Sequence, residues 1–414
     1  MSYRNLLLAC IVLNISVLDI SAQAPLGCDF DQRATQWDGT QLTAVEVRIA
    51  AMKNRITPRM PATIPIVFHV VYSNNRENIS DLQIRSQVDI LNRDFAFMSE
   101  NAPWVPEEFR DVGGDANMRF CLASIDPNGN PTTGTTRTMT QVSRIGSHQE
   151  ANGRYSVHYD SYGGKDGWDP ERYVNIWVGD IEGLLGSATF PGMAPHPEED
   201  GVVIDPEFVG ALGLASRSDP FDRGHSLTHE LGHYFGLFHI WGLGNGGCDT
   251  DDLVEDTPEQ ETFYLECPEY PQHSCETSNM FMNFMDFTDD RCLALFTQGQ
   301  AQRMQAALMG LRSTLLENTD ACAPPDSGKI DLDDALLFYA PESGQIVIAL
   351  DVESVMSRKV SLYAIDGRML YQDTWLTGST FWLNTESIIP GVYVLQLEAE
   401  GERISKKVFV YSDR

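Results

Sequence analysis

The chain has 414 residues, is 42% hydrophobic and 21% charged, and carries a formal net charge of −30. That length predicts two or three folding units rather than one. The acidic balance argues against nucleic acid or an anionic membrane surface as a partner, because both are bound by basic surfaces. It is compatible with basic peptide segments and with metal ions held by carboxylates.

The N-terminus predicts an export signal. Arg4 precedes an apolar run at 6–20, which is too short for a membrane span and is followed by small residues. Cleavage after Ala22 makes residues 1–22 the signal peptide. The alternative, a lipoprotein signal ending at Cys10, is disfavoured because the apolar run continues beyond that cysteine. An exported protein is expected to pair its cysteines, and without Cys10 seven remain, so one is left over.

A polar segment with helical periodicity follows the signal, at residues 23–60. Leu42, Val45 and Ile49 have the spacing of one helix face. A basic patch rich in proline closes the segment, and its last basic residue is Arg59. Exposed basic residues in such a linker are expected sites of proteolytic nicking.

Residues 61–322 alternate predicted strands with predicted helices, which indicates an α+β or α/β sheet domain. We predict strands at 64–72, 118–123, 173–178 and 202–205, and helices at 80–95 and 298–318. A cysteine-rich segment dominated by loops occupies 242–296. A linker at 323–329 separates this domain from short alternating strands at 330–414, which predict a small all-β sandwich.

Three of the nine histidines lie within eleven residues, HELGHYFGLFH at 229–239. His229 and His233 are four apart, so on a helix they share one face. Gly236 is placed to end that helix in a left-handed turn, which returns the chain to present His239. Three neutral imidazoles make a zinc site with an open fourth position, and Glu230 stands beside it as a general base for zinc-activated water.

The alternative is a helix whose histidines are ordinary surface or core residues. A bare HExxH motif arises by chance, but the full HExxHxxGxxH motif is the signature of the metzincin metallopeptidases. A metzincin also needs a methionine turn beneath the metal, and Met285 between Asn283 and Asp286 is the candidate.

Residues 60–320 resemble the pappalysin-type metzincins, in particular their compact bacterial members. The resemblance rests on IVFHVVY at 66–72, the histidine stretch at 229–239, DTP at 256–258, the Met285 turn and FTQGQ at 296–300. It implies a secreted zinc endopeptidase with a twisted mixed sheet in its upper part, an active-site helix and an irregular lower part.

The resemblance also implies two disulfides in the lower part, Cys248 with Cys275 and Cys267 with Cys292. We expect Cys121 and Cys322 to pair as well, although they could stay separate, and Cys28 is then the cysteine left over. In related zymogens a thiolate fills the open zinc position and holds the enzyme latent. We therefore expect Cys28 to be the zymogen zinc ligand, residues 23–60 to be the propeptide and the patch ending at Arg59 to be the activation cut. The alternative is an unpaired N-terminal thiol.

Two residues near the methionine turn bear on specificity and rate. Asp290 matches the position that lines the primed-side pocket of relatives selective for basic residues, where a carboxylate pairs with Lys or Arg. The alternative is an ordinary solvated acid in an acidic loop. Phe287 stands where similar enzymes often have a tyrosine that stabilises the tetrahedral intermediate, and phenylalanine cannot donate that hydrogen bond.

An acidic loop at 249–257 lies within the cysteine-rich segment. Its oxygen-bearing side chains could hold a structural calcium ion, as relatives do nearby, or could simply be solvated. The candidate calcium ligands are Asp249, Asp251, Asp252, Glu255, Asp256 and Thr257.

Residues 330–414 resemble the C-terminal sorting domain of type IX secretion in Gram-negative bacteria. YAIDGR at 363–368, PGVYV at 390–394 and KKVFV at 406–410 carry the resemblance. It implies secretion machinery as a partner and a released or surface-attached location. The alternative is a generic adhesion or carbohydrate-binding sandwich.

Together these features predict a secreted zinc endopeptidase, made as a latent zymogen, that acts on protein or peptide substrates. The rival function is a weak or inert surface-binding protein that keeps a structural zinc site. Phe287 favours the rival, and the intact Glu230 argues against it.

Overall fold

The computed structural model describes residues 27–53, 55, 61–244, 246–322, 336–340, 345–349, 358–375, 380–385, 388–399 and 402–410. The predicted signal peptide, Arg59 and the linker at 323–329 lie outside this set. Within it, no helix has both the length and the apolar character needed to cross a membrane.

A seven-stranded sheet forms the centre of the larger unit. Its strands are β1 (Gly27–Cys28), β2 (Ala62–Tyr72), β3 (Met118–Leu122), β4 (Thr135–Met139), β5 (Val174–Val178), β6 (Leu184–Ala188) and β7 (Gly201–Ile204). The order is β1-β6-β7-β5-β2-β3, and β4 pairs with the second half of β2 on the same side as β3. β6 runs antiparallel to β7, whereas the other pairs are parallel.

Six α-helices accompany the sheet. They are α1 (Phe30–Ala34), α2 (Gly39–Lys53), α3 (Asp81–Asp94), α4 (Glu107–Arg110), α5 (His225–Tyr234) and α6 (Gln298–Leu311), counted over the described residues. The Ser80 hydroxyl caps α3 by accepting a hydrogen bond from the Gln83 N–H. The predicted closing helix ends at Leu311, and a 3₁₀ turn at Ser313–Glu317 continues it.

Both faces of the sheet are covered, which explains why β2 is an almost continuous apolar run. Alternate residues of β2, such as Ile66 and Phe68, share one core with α3, α5 and α6. Val67 and Val71 point to the other face and lie in separate buried clusters. The sheet therefore holds α5, which carries the histidine motif, against its helical side.

The irregular lower part is held by disulfides and by contacts with the start of α6. Cys248 is bonded to Cys275 and Cys267 to Cys292, and a third disulfide joins Cys121 in β3 to Cys322. Two short strands, β8 (His273–Ser274) and β9 (Thr277–Ser278), are the regular structure described within 242–296. Each disulfide limits the conformations of the unfolded chain and so favours the fold.

The C-terminal unit is a sandwich of two antiparallel sheets. Its strands are β10 (Leu336–Ala340), β11 (Gln345–Ala349), β12 (Arg358–Ala364), β13 (Met369–Trp375), β14 (Thr380–Asn384), β15 (Gly391–Ala399) and β16 (Glu402–Val410). The sheets have the orders β10-β11-β14 and β13-β12-β15-β16. Ile346 and Leu383 from the first share a buried cluster with Leu362 and Leu395 from the second. The predicted order, an α+β domain followed by a small β-sandwich, is confirmed.

Candidate active site

Two glycines set the limits of the helix that carries the histidine motif. Gly224, with φ of 75°, immediately precedes α5, and Gly236, with φ of 91°, follows it. After the last turn, the Gly236 N–H donates to the His233 carbonyl and the Leu237 N–H to the Gly232 carbonyl. This left-handed turn reverses the chain and returns His239 to the helix.

The three imidazoles converge on one point. His233 Nε2 lies 3.1 Å from His229 Nε2 and 3.2 Å from His239 Nε2. Cys28 Sγ lies 3.5, 3.6 and 3.2 Å from the Nε2 atoms of His229, His233 and His239. A tetrahedral zinc ion, with bonds of about 2.1 Å to nitrogen and about 2.3 Å to sulfur, separates its ligand atoms by roughly 3.4–3.6 Å. The contacts of Cys28 with His229 and His233 match this spacing, and the other distances are about 0.2–0.4 Å shorter, so the four atoms have a zinc-like arrangement.

The tautomers of the rings also fit a metal. His229 Nδ1 lies 2.7 Å from the Phe284 carbonyl and His233 Nδ1 lies 2.8 Å from the Leu237 carbonyl. Carbonyl oxygens only accept, so both rings donate from Nδ1 and keep a bare lone pair on Nε2. Burial, followed by the nearby His239, lowers the pKa of His229 to about 3 and keeps that ring neutral. Lone pairs facing each other at this distance repel unless a cation lies between them.

Cys28 reaches this point from β1. Burial, followed by the charge of Glu230, raises the pKa of its thiol well above the ordinary value. A bound cation reverses that effect, because a coordinating thiol is deprotonated. Among the described residues, Cys28, His229, His233 and His239 are the group of His, Cys, Asp and Glu side chains close enough to share a metal ion.

Glu230 follows the first histidine and lies beside the site. Its side chain is buried, and its Oε2 atom has no hydrogen-bond partner among the residues that the structure describes. A Cβ atom built on Gly186 of β6 would lie 2.8 Å from the Glu230 Cγ, so the glycine leaves room for this side chain. Burial, followed by the charge of Asp29, raises the pKa of Glu230 well above its usual range.

Met285 lies directly beneath α5. A Cβ atom on Gly232 would approach the Met285 Sδ to 2.5 Å, so only glycine permits this contact. The turn is fixed by Asn283, whose Oδ1 accepts from the Met285 N–H and whose side-chain amide exchanges hydrogen bonds with Gln300. Gln300 also forms a capping box with Thr297 at the start of α6. The FTQGQ segment therefore positions the methionine turn.

A cavity opens beside the histidine cluster and the methionine turn. Asp290 lines it, together with Glu230 and His225 from α5. The Asp290 carboxylate accepts from the backbone N–H groups of Arg223 and His225, and its burial raises the pKa to about 7. Asp290 therefore belongs to a buried pocket wall and is not solvated. His225 was not singled out from the sequence, although its position one turn before His229 could have marked it as a cavity residue.

Phe287 packs among aromatic rings close to the cluster. Its ring centroid lies 4.9 Å from those of His239 and Trp241 and 5.6 Å from that of His229. Trp241 in turn stacks on His239 at 4.3 Å. This side of the site is therefore an apolar wall. Phe287 has no hydroxyl group with which to donate a hydrogen bond into the site.

The acidic loop is divided between structural and exposed positions. Asp256 accepts from the Thr297 hydroxyl and from the Gly299 N–H, so it anchors the start of α6. Asp252 is buried, and its Oδ1 accepts from the Val254 N–H and the Thr257 hydroxyl. The remaining acids of the candidate calcium set are exposed: Asp249, Asp251 and Glu255.

A metzincin-type zinc metallopeptidase is the class that this fold and histidine motif define. A family model described as pregnancy-associated plasma protein-A matches residues 158–309. The chain is 30% identical over 253 residues to an extracellular metalloprotease of Arthroderma gypseum, across 59% of this chain and 71% of that protein. It belongs to this pappalysin family and is a zinc metalloendopeptidase.

Solved structures and the C-terminal unit agree with that assignment. A mutant of Tannerella forsythia promirolysin is 36% identical, with a TM-score of 0.65 over 72% of this chain and 100% of that one. Mature mirolysin in complex with a cleaved peptide is 39% identical, with a TM-score of 0.61 over 65% and 100%. A second family model, the secretion system C-terminal sorting domain, matches residues 337–411, so the sorting domain predicted at the C-terminus is confirmed.

Proposed function

We propose that the chain is the latent precursor of a secreted endopeptidase. Residues 23–60 are its propeptide, residues 61–322 its catalytic domain and residues 330–414 its sorting domain. His229, His233 and His239 bind zinc, and Cys28 fills the fourth position. The observation that carries this proposal is the convergence of the Cys28 sulfur with three bare Nε2 atoms at zinc-like spacing.

The position of β1 supports latency. It pairs with β6, with Gly27 opposite Leu184 and Cys28 opposite Gly186, and so covers the outer edge of the sheet. Extended peptides commonly bind by adding a strand to such an edge. Phe30 then stacks on the His233 ring, with centroids 3.8 Å apart. The propeptide therefore occupies the place that an extended substrate needs.

Glu230 is the proposed general base and later the general acid. When bound, zinc activates a water molecule for attack on the peptide carbonyl. Glu230 takes the proton from that water and delivers it to the departing amine nitrogen. Removal of the propeptide takes away Asp29 and opens the cavity to solvent. Both changes lower the pKa of the Glu230 carboxyl, so that it ionises more readily and can accept a proton.

Asp290 is the proposed selector for Lys or Arg on the primed side of the scissile bond. It lines the cavity next to Glu230, where the side chain after the cut would enter. A buried carboxylate pairs strongly with a basic side chain, because little solvent competes. Its pKa of about 7 means that the charged fraction increases with pH across the neutral range.

The test of this selectivity uses the activated enzyme and a mixed peptide pool, with cut sites read by mass spectrometry. We expect cuts before Lys and Arg, with a preference that Asp290→Asn lowers about 10- to 100-fold, the value of a hydrogen bond to a charged group. Asparagine keeps an acceptor for the Arg223 and His225 N–H groups, so it is a milder change than alanine. The preference should also be larger at about pH 8 than at about pH 6. An unchanged cut pattern in the variant would refute the role of Asp290.

We also propose a structural calcium ion at Asp252. Within the described part of the chain its buried Oδ2 atom has no hydrogen-bond partner, and its burial raises the pKa of the carboxyl to about 7. A hard cation would satisfy that oxygen, and calcium accepts backbone carbonyls as further ligands. Asp256 is a weaker candidate because both of its oxygens serve α6.

Calcium removal is expected to lower the melting temperature by about 5–10 °C, since a ligand at 100 times its Kd contributes about 2.7 kcal/mol. Thermal unfolding is followed after chelation and after calcium is restored, with the zinc content of each sample measured. Asp252→Asn should abolish the calcium response. A melting temperature indifferent to calcium, or a response that persists in the variant, argues that the loop is simply solvated.

The C-terminal unit supports export. We propose that secretion machinery recognises the sandwich at 330–414 and that residues 1–22 direct the chain across the inner membrane beforehand. The family match at 337–411 supports the first step, and the apolar run near the N-terminus supports the second.

A further inference from the structure

The three imidazoles differ in what holds their second ring nitrogen. For His229 and His233 the acceptor is a backbone carbonyl, of Phe284 and of Leu237, within the proposed catalytic domain. For His239 the acceptor is a carboxylate of the proposed propeptide, since its Nδ1 lies 3.0 Å from Asp31 Oδ2. Activation therefore removes the orienting partner of one zinc ligand and leaves the other two intact.

Asp31 is firmly placed for this contact. It lies in α1, next to Phe30, whose ring stacks on His233. Its other oxygen accepts from the Gly244 N–H at 3.3 Å, so both carboxylate oxygens are directed at the segment around His239. The His239 side chain is 1% exposed, and Trp241 stacks on its ring. The Asp31 carboxylate thus contacts the edge of the His239 ring, and the Trp241 indole contacts its face.

We propose that Asp31 is a positioning residue that makes the precursor hold zinc more tightly, so that the propeptide serves as a built-in aid to metal loading. This inference rests on the proposed zinc site and propeptide. A carboxylate that accepts from Nδ1–H fixes the tautomer with a bare Nε2 and raises the basicity of that nitrogen. Loss of such partners commonly lowers metal affinity by 10- to 100-fold.

The proposal has a consequence for the order of maturation. Without Asp31, the His239 ring can adopt the tautomer that places its proton on Nε2, and that tautomer cannot bind the metal through Nε2, the atom that faces the other two histidines. Zinc is then best captured while the propeptide is docked. The mature form holds its zinc with three histidines. Of these, His229 and His233 keep their orienting carbonyl acceptors, whereas His239 loses Asp31.

The experiment measures zinc release from the full-length precursor to a competing chromogenic chelator. All samples carry Glu230→Ala to prevent self-cleavage and Cys28→Ala to remove the thiolate, so that differences in affinity report on the histidines. In this background, Asp31→Ala is expected to weaken zinc binding about 10- to 100-fold, and Asp31→Asn, which keeps an acceptor without the charge, by less.

Arg33→Gln is the matched control. Arg33 lies on the same short helix and donates to the Ser187 hydroxyl and the Ala188 carbonyl, so its loss weakens docking without touching a histidine. Zinc affinity in this control should stay at the parent value. Equal weakening by Asp31→Ala and Arg33→Gln would mean that Asp31 only docks the propeptide, and the inference would fail. A parent that binds no zinc would instead overturn the proposed metal site.

Discussion

Glu230→Ala is expected to lower the kcat/KM of the activated enzyme by about 10²–10⁴-fold, the usual contribution of a general base. The zinc content should remain unchanged, because the convergent ligand atoms that stay after activation belong to His229, His233 and His239. The Glu230 carboxyl is instead directed towards the cavity, in the space that Gly186 leaves open. The measurement is the rate of cleavage of a reporter peptide, together with metal analysis of each sample.

Glu230→Gln is the control for shape. Glutamine fills the same space and can accept a hydrogen bond, but it cannot take a proton near neutral pH. Both variants should therefore be slow to a similar degree. A glutamine variant that retains most of its activity would show that Glu230 acts through packing alone. Loss of zinc from either variant would show that Glu230 supports the metal, contrary to the proposed division of roles.

The histidine motif could be interpreted from sequence because its geometry is local. A spacing of four residues places His229 and His233 on one helix face, and Gly236 adopts the positive φ that the motif predicts. The same holds for the strand at 62–72 and for the helix capped by Ser80, since apolar periodicity and a side-chain cap are sequence signals.

The strand β6 escaped prediction for a physical reason. Its sequence, LLGSA, is short, has no clear alternation and contains a glycine, which weakens strand signals. The structure shows why the glycine is there, since Gly186 adjoins both Glu230 and the pairing position of Cys28. Gly186 makes room for the site, and the same glycine made β6 harder to predict from the sequence. β4 was not predicted either.

Asp31 was missed because its partner is distant in the chain. Its contact with His239 spans 208 residues, and no periodicity connects an acid near the N-terminus to a ring beyond the active-site helix. The resemblance to pappalysins directed attention to Cys28 alone. Contacts between a propeptide and its enzyme depend on docking of two segments, and only the folded arrangement brings them together.

Cys28→Ala is expected to raise the activity of the uncleaved precursor about 10- to 100-fold. A sulfur–zinc contact is worth at least as much as a hydrogen bond to a charged group, about 1.5–3 kcal/mol, and its loss increases the population of open molecules in proportion. Activity is measured as the initial rate on a short reporter peptide. Intact-mass spectrometry of the same sample verifies that the propeptide has not been cut.

The rest of the proposed propeptide should keep that activity below the level of the cleaved enzyme. The α2 helix buries Val45 and Ile49 against Phe238 and α6, and Glu46 forms a bidentate ion pair with the buried Arg303 at 2.6 and 2.9 Å. Glu46→Gln is therefore the matched control, because it weakens docking far from the metal. If the thiol is the latch, Cys28→Ala raises precursor activity well beyond Glu46→Gln. Equal gains would assign latency to docking alone, and a Cys28→Ala precursor that stays silent until it is cut would rule out the thiol latch, leaving coverage of β6 as the cause of latency.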